Sequence, residues 1–386
     1  MKVTTCFTMI LVCSALLLQQ ASAAGPIVIG FDLPLTGDLA AVGKSSQMTG
    51  QLIHKQLNGV LKVGGQEYEL SFIYEDNKTS PSSATRAALH LITREKALGI
   101  IGPLSSSQAV PTGGVANSFS TAMISPWSTA LDTTLNRPFV FRSCVLDPIQ
   151  GAALSSFAGD SLAAEKAAVL YDIVTTYPRT LANSFKDTFE KDHGAGSVVA
   201  FEEFRAGDKN FSQQLARIVN SGADVLFVPQ YYYEIPGIVQ QARDAGWSKP
   251  IFGADAWAGG DLMAECGELC KGLFFSAHFA PHGVTGKAKE FVELYEKEYG
   301  VLPDEVAALT WDSVQVMLLA IQATEGLSGN ILEDRKKVKD QIVAIKNYDG
   351  VTGTISHKSD GNPDRCVAII QIGEDGLFSQ YKSICQ

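Results

Sequence analysis

Short apolar runs alternate with amphipathic stretches from Ile27 onward. The apolar runs of the first third of the chain are IVIGFDL, YELSFIYED, LGIIGP, AMISPW and FVFRSC. Between them lie stretches of helical periodicity at about 41–58 and 82–96, and a shorter one, interrupted by glycine, near 110–119. Near-continuous apolar strands are typical of a parallel sheet that is covered on both faces. The alternation therefore predicts a doubly wound α/β domain.

The same pattern then starts again. The runs KAAVLYD, SVVAFEEF, DVLFVPQ, PIFGADA and GLFFSAHF are separated by helical stretches near 175–191, 211–221 and 235–245, which predicts a second α/β domain. Three more helical stretches follow at about 287–299, 305–323 and 334–346, and then GVTGTISH and a predicted hairpin. A chain of 386 residues is long enough for two such domains. The segments left over at the end indicate a chain that crosses between the lobes more than once.

Hydroxyl side chains follow two neighbouring strands of the first predicted domain. Ser105, Ser106 and Ser107 follow LGIIGP, and Ser128 and Thr129 follow AMISPW. In open α/β sheets ligands bind outside the carboxyl ends of the strands. These hydroxyls and the N–H groups of a helix that starts nearby would suit a carboxylate. The alternative is that a serine merely caps the helix.

Two strand ends of the second predicted domain carry aromatic and acidic side chains. Tyr231, Tyr232 and Tyr233 follow LFVPQ, and Asp255 follows the run IFGA. A carboxylate at this position can pair with a cation across the cleft, although Asp255 can also cap a helix before Gly259. An anion site on one lobe and a carboxylate with aromatic rings on the other suit a zwitterion. The sequence therefore predicts an α-amino acid or a close relative as the ligand.

The N-terminus and the net charge narrow the class of protein. Lys2, the apolar stretch 7–18 and Ala21-Ser22-Ala23 predict a secretory signal in residues 1–23, cleaved near Ala23. The alternative, a membrane anchor, is disfavoured because the apolar stretch is short for a membrane span. A net charge of −10 argues against nucleic acid and anionic membranes as partners. We therefore expect a soluble protein outside the cytoplasm.

Cleavage would leave five cysteines in an oxidising compartment. Cys366 and Cys385 flank the predicted hairpin, and Cys266 and Cys270 can close a small loop. Cys144 would then stay a buried thiol, although the sequence alone leaves the pairing open. Cys266, Cys270, His278 and His282 also resemble zinc ligands in their spacing, but disulfides are favoured here. Because no phosphate loop and no nucleophile elbow occurs, we expect no metal, no cofactor and no enzyme activity.

Several segments resemble a known family when they are taken together. They are IGPLSSS, MISPWSTA, FRSCVLDPIQG, GDKNFSQQLARIVNSGADVLFVPQYYYE and QARDAGW. In order and spacing they resemble the type I periplasmic solute-binding proteins of ABC importers, in the leucine/isoleucine/valine-binding branch. The resemblance implies two lobes joined by three crossovers, with residues 24–146 and 280–358 in the N-terminal lobe and 147–279 and 359–386 in the C-terminal lobe. It also implies a monomer in the periplasm that delivers an amino acid to a permease in the inner membrane.

The resemblance assigns roles to individual residues. Ser106 and Thr129 would hold the ligand carboxylate, the Trp127 carbonyl and Asp255 would bind the ammonium, and tyrosines would line the pocket. The full set of expected ligand residues is Ser106, Trp127, Ser128, Thr129, Tyr177, Tyr231, Asp255 and Trp311. The chain departs from the family at Val42, where an aromatic residue is common, and at Trp127, where a small residue is usual. These departures leave the preferred ligand side chain open.

Two alternatives remain. The same fold can bind an aromatic or aliphatic carboxylate or an amide, but Asp255 would then lie unpaired opposite a neutral group. The chain can also be a sensory ligand-binding module that works with a separate membrane kinase or chemoreceptor.

Overall fold

The computed structural model describes residues 25–385, and the predicted signal 1–23 lies outside this range. The first sheet has six strands in the order β2-β3-β1-β4-β5-β6, and every pair except the hairpin β2–β3 is parallel. Its elements are β1 (Ile27–Leu33), α1 (Ala40–Gln56), β2 (Val60–Val63), β3 (Gln66–Asp76), α2 (Pro81–Thr93), β4 (Gly99–Ile101), α3 (Ser106–Ser118), β5 (Ala122–Ser125) and β6 (Val140–Arg142).

The second sheet has seven strands in the order β15-β14-β11-β10-β9-β7-β8. Strands β7 to β11 pair in parallel, and β14 and β15 add an antiparallel edge. The elements up to the second crossover are α4 (Asp147–Leu162), β7 (Ala167–Asp172), α5 (Thr176–His193), β8 (Val198–Phe204), α6 (Ser212–Asn220), β9 (Val225–Phe227), α7 (Ile235–Asp244), β10 (Ile251–Gly253), α8 (Leu262–Cys266) and β11 (Phe274–Ala277).

The rest of the chain returns to the first lobe and then crosses back. The last elements are α9 (Gly286–Tyr299), α10 (Glu305–Gln322), α11 (Ile331–Ala344), β12 (Tyr348–Gly350), β13 (Gly353–Ile355), β14 (Val367–Ile372) and β15 (Phe378–Ile384). Helix α10 packs on α1 and β4 of the first lobe, whereas β14 pairs with β11 of the second. The chain thus passes between the lobes after β6, after β11 and after β13. The fold is the predicted pair of α/β lobes, and the residue bounds of the lobes stay a prediction.

Burial follows the position of each strand in its sheet. All seven residues of β1 and all six of β7 are buried, because helices cover both faces of these inner strands. The edge strand β8 is buried at only three of its seven positions. The apolar runs that predicted the strands therefore form the core of each lobe.

Both predicted disulfides are present. Cys266 bonds to Cys270, Cys366 bonds to Cys385 across the ends of β14 and β15, and Cys144 is a buried free thiol. The four residues with zinc-like spacing therefore do not form a zinc site, since two of the four donors are bonded to each other in a disulfide. Within residues 25–385, none of the helices combines the length and apolar character needed to cross a membrane.

Candidate functional site: a ligand cleft between the lobes

Side chains from both lobes meet at the carboxyl ends of the strands and enclose a small cavity of about 160 Å³. Of the eight predicted ligand residues, five line it. The lining residues are Ser105, Ser106, Trp127, Tyr177, Tyr231, Asp255 and Ala256. Ser128, Thr129 and Trp311 do not belong to this lining, and Trp311 packs instead against Phe291, with ring centroids 5.0 Å apart.

Ser106 presents a hydroxyl donor to the cavity at the start of α3. Ser105 occupies the capping position of this helix, but its side chain makes no capping hydrogen bond. The Ser106 oxygen accepts from the Ser128 hydroxyl at 3.0 Å and from the Ala130 N–H at 3.3 Å. Because the oxygen accepts twice, the Ser106 proton is left to donate. The serines therefore form a donor site at a helix N-terminus, where an anion is stabilised.

A buried arginine holds the loop behind Ser106. Arg142 donates to the carbonyl of Ser128 at 2.6 Å and to that of Ala130 at 2.8 Å. The Thr129 carbonyl accepts from the Asp147 N–H at 2.9 Å, at the start of α4. The sequence pattern did not point to Arg142, which ends β6 and is fully buried. Ser128 and Thr129 thus lie in a loop with a fixed backbone beside the cavity.

Asp255 faces this donor site from the second lobe. It begins a short 3₁₀ turn but caps nothing, so the capping alternative does not hold. The Tyr177 hydroxyl donates to Asp255 Oδ1 at 2.7 Å and accepts from the Ala256 N–H at 3.2 Å. Burial raises the pKa of Asp255 to about 7, although the hydrogen bond from Tyr177 lowers it. This carboxyl group has one phenol partner and lacks a cationic one among the bonds that the structure shows, which suits it to bind an ammonium.

Three aromatic rings form the wall between the two polar ends. The centroids of Trp127 and Tyr231 are 5.9 Å apart, and those of Tyr177 and Tyr231 are 5.3 Å apart. Burial raises the pKa of both phenols, which are therefore neutral at physiological pH and able to donate. The wall is thus apolar with a few polar groups, as in ordinary ligand pockets.

Glu305 links the cavity to the crossover segments, and sequence reasoning missed it. It opens α10, and its Oε1 accepts from the Trp127 indole at 3.1 Å and from His278 Nδ1 at 2.9 Å. His278 Nε2 accepts from the Val145 N–H at 2.8 Å, so the proton of the neutral ring lies on Nδ1. Burial lowers the pKa of His278 to about 4 and raises that of Glu305 to about 8. Two features of the sequence could have pointed to this pair. They are a histidine near the end of the strand-like run GLFFSAHF and an acidic residue that follows Asp304 at the start of a helix.

Asp255, His278 and Glu305 place donor atoms within 4.8 Å of one another, as a metal site would. However, both ring nitrogens of His278 already have partners, in Val145 and Glu305. Glu305 also accepts from the His278 backbone at 2.8 Å. His278 and Glu305 therefore form a hydrogen-bonded pair beside the ligand cavity, and the Asp255 carboxylate next to them accepts from Tyr177.

Hydrogen bonds distant from the three crossovers also join the lobes around the cavity. The Thr176 N–H donates to the Ser107 hydroxyl at 2.9 Å, and the Gly260 N–H donates to Asp304 Oδ2 at 3.3 Å. Thr176 begins α5 and Asp304 caps α10, so each bond connects one lobe to the other. The structure is therefore a closed form of the cleft.

Known proteins share this architecture. The family model described as periplasmic binding protein matches residues 26–376. A Leu/Ile/Val-binding protein homologue of Brucella melitensis is 27% identical over 258 residues, which cover 66% of this chain and 68% of the relative. The leucine binding protein LivK of Thermotoga maritima superposes with a TM-score of 0.84 at 30% identity, covering 93% of this chain and 99% of that one. LivJ of Streptococcus pneumoniae, solved with isoleucine, gives a TM-score of 0.82 at 28% identity, covering 93% and 99%.

Proposed function

Because the chain belongs to the periplasmic binding protein family, we propose that it is the extracytoplasmic solute-binding protein of an ABC importer and that it binds an amino acid. One observation carries the proposal. A hydroxyl donor site at the start of α3 and the buried Asp255 line the same cavity from opposite lobes. The relatives named above, whose names include leucine and Leu/Ile/Val binding, support an amino-acid ligand.

The two polar ends have complementary roles. The Ser106 hydroxyl and the N-terminal N–H groups of α3 hold the ligand carboxylate, with the Ser128 to Ala130 loop fixing the Ser106 oxygen. Asp255 pairs with the ammonium, and the Tyr177 hydroxyl keeps the carboxyl group in place. An anion at one end and a cation at the other describe an α-amino acid in its zwitterionic form.

Binding works by closure and involves no covalent chemistry. The lobes, at 24–146 with 280–358 and at 147–279 with 359–386, rotate about the three crossovers, and the ligand stabilises the closed form. Ser107–Thr176 and Asp304–Gly260 are the contacts made on closure. The closed monomer then docks on a permease in the inner membrane. Removal of the signal 1–23 near Ala23 places the protein in the periplasm.

A thermal-shift screen of the chain from Ala24 tests the ligand class. The panel holds all L-amino acids, several D-forms, and the matching carboxylic acids that lack the amino group. A ligand at about a thousand times its Kd adds roughly 4 kcal/mol, which raises Tm by several degrees. We expect an amino acid to raise Tm and its deaminated partner to leave it unchanged.

One variant, the ligand panel and a deletion in the native host separate the candidate functions. Asp255→Ala should abolish the amino-acid response, and full-strength binding by this variant would contradict the ammonium pairing. If only deaminated carboxylates stabilise the protein, its ligand is an organic acid and the carboxylate half of the site stands alone. A sensory role is tested in the native host, where deletion of the permease would abolish uptake of the ligand if the protein serves transport.

A further inference from the structure

We propose that the Trp127 side chain fills the compartment for the ligand side chain and restricts the ligand to amino acids of the size of glycine, alanine or serine. This inference rests on the proposed function and goes beyond it, because it selects among amino acids. It also departs from the ligands in the names of the relatives, which are leucine and the branched-chain set.

The space between the lobes is small because Trp127 occupies it. The empty space among the lining residues totals only about 160 Å³, and the Trp127 side chain forms part of its wall. Trp127 is only 3% exposed, and the far edge of its indole lies against the backbone of Gly259 in the second lobe. A Cβ at Gly259 would come within 2.9 Å of Trp127 Cη2 and 3.0 Å of Val42 Cγ1. Val42 and Trp127 therefore close the side of the cavity that faces Gly259.

Hydrogen bonds keep the indole in this place. Its Nε1 donates to Glu305 Oε1, and Glu305 is itself fixed by the ring and the backbone of His278. If the ring rotated away to admit a larger ligand, its N–H would lose this partner, and leaving a buried polar group unpaired is costly. The ring is thus a fixed wall, and a ligand cannot push it aside at low cost.

The same rings leave no slot for an aromatic ligand. A planar ring that stacks between two others needs about 7 Å between their centres, twice the ~3.5 Å contact distance. The centroids of Trp127 and Tyr231 are only 5.9 Å apart, and those of Tyr177 and Tyr231 are 5.3 Å apart. The geometry therefore disfavours a phenylalanine ring stacked between the members of either pair.

A size series on the unmodified protein provides the first test. Isothermal titration with glycine, alanine, serine, valine, leucine and phenylalanine should give an affinity that falls as the side chain grows. We expect alanine to bind at least about tenfold more tightly than leucine, since one misfitting methylene already costs about 10-fold or more. Leucine binding as tightly as alanine overturns this inference and leaves the proposed function standing. If no amino acid binds, the proposed function itself fails, and this inference fails with it.

Variants at Trp127 and Glu305 show whether the ring is the cause. Trp127→Ala should raise leucine affinity about tenfold or more relative to alanine. Trp127→Phe loses the hydrogen bond to Glu305 and part of the ring, and should raise leucine affinity relative to alanine by less than Trp127→Ala does. Glu305→Gln keeps an acceptor for the indole and should preserve the order of affinities. Glu305→Leu removes the hydrogen-bond acceptor of the indole and should improve leucine binding. An unchanged leucine-to-alanine ratio in folded Trp127→Ala contradicts the role of the ring.

Discussion

Ser107 and Thr176 face each other across the cleft, and the N–H of Thr176 donates to the hydroxyl of Ser107 at 2.9 Å. Ser107 lies in the first turn of α3, which begins beside the cavity, and Thr176 begins α5 of the other lobe. This bond can form only when the lobes are closed. It therefore stabilises the ligand-bound arrangement without requiring any contact with the ligand.

Ser107→Ala should weaken ligand binding while leaving the stability of the unliganded protein nearly unchanged. A typical hydrogen bond contributes about 0.5–1.5 kcal/mol, so we expect Kd to rise about 2- to 10-fold in isothermal titration. Ser118→Ala is the matched control, because Ser118 is on the same helix and donates only to the Gly114 carbonyl of that helix. Equal effects from the two variants would refute a closure role for Ser107.

Tyr177→Phe should lower affinity for an amino acid by removing the donor to Asp255. The loss of one hydrogen bond to a carboxylate corresponds to about 1.5–3 kcal/mol, or roughly 10-fold or more in Kd. The pKa of Asp255 should also rise, because the phenol favours the ionised carboxylate. Tyr171→Phe removes a similar phenol bond, to Glu203 at 2.8 Å in the second sheet, and should leave binding intact. Binding at wild-type strength by Tyr177→Phe would show that the ligand does not use Asp255.

Most of the fold could be predicted because the inner strands are apolar throughout. Strands such as β1 and β7 are buried along their whole length, so their runs stand out in the sequence. Helix α4 was missed because it is buried on more than one side: eight of its sixteen residues are buried, and a polar face does not stand out. Helix α3 begins at Ser106 and not near residue 110, since its serines, glycines and Pro111 obscure the period.

The residues of the site could be predicted from the sequence only where they lie at the end of a strand. Ser106, Trp127 and Asp255 follow apolar runs and do line the cavity. Glu305 lies about 180 residues from Trp127 in sequence, and the bond between them depends on a crossover that no local pattern encodes. Trp311 was expected from the resemblance alone, and it packs on Phe291 away from the cavity. Hydrogen bonds between polar groups that are distant in sequence could therefore be identified only from the structure.

Amino-acid affinity should increase as the pH rises from about 5.5 to 7 and level off above. Burial raises the pKa of Asp255 to about 7, so below this pH the free protein carries a proton there that an ammonium must displace. The slope can reach one log unit of Kd per pH unit, or 1.36 kcal/mol. Glu305 and Asp147 nearby raise the pKa of Asp255 further, whereas His278, whose own pKa is lowered to about 4, stays neutral throughout this range.

The raised pKa of Asp255 has the opposite effect on the stability of the unliganded protein, which falls as the pH rises. The folded state holds the Asp255 proton up to about pH 7, whereas the unfolded chain releases it near pH 4. Stability from this group is therefore lost as the pH rises between those values. Asp255→Asn should bind weakly and with little pH dependence, as measured by titration at pH 5.5, 6.5, 7 and 8. Affinity of the unmodified protein that does not change with pH would show that Asp255 does not change its protonation state on binding, which contradicts the raised pKa of the free protein.

The two disulfides should contribute unequally to stability. Cys366–Cys385 closes a loop with a sequence separation of 19 residues and holds β14 and β15 at the edge of the second sheet. A loop of this size corresponds to about 3 kcal/mol, so Cys366→Ser with Cys385→Ser should lower Tm by roughly 4 °C in a chain of this length. Cys266→Ser with Cys270→Ser is the comparison, and it should cost less because the separation is only 4. A larger loss from the Cys266–Cys270 pair would show that loop closure does not determine the difference.

Gly259→Ala should impair closure specifically. The backbone at Gly259 has φ −83° and ψ 153°, which alanine adopts without strain, so only its close contact with Trp127 and Val42 opposes a side chain. Overpacking costs about 1–3 kcal/mol, so Kd should rise about 5- to 100-fold while the unliganded protein melts at nearly the same temperature. Gly237→Ala in α7 is the control, since nothing lies within 4 Å of its added Cβ.

A double variant shows whether the contact between Gly259 and the indole is the cause. In a Trp127→Ala background the penalty of Gly259→Ala should fall to the part that the contact with Val42 contributes, because Gly259 and Trp127 interact directly and their effects are not additive. The coupling energy from titration of the wild type, both single variants and the double variant measures this interaction. If Gly259→Ala costs as much without the indole as with it, Trp127 does not close the cleft against Gly259, and the size limit on the ligand must have another origin.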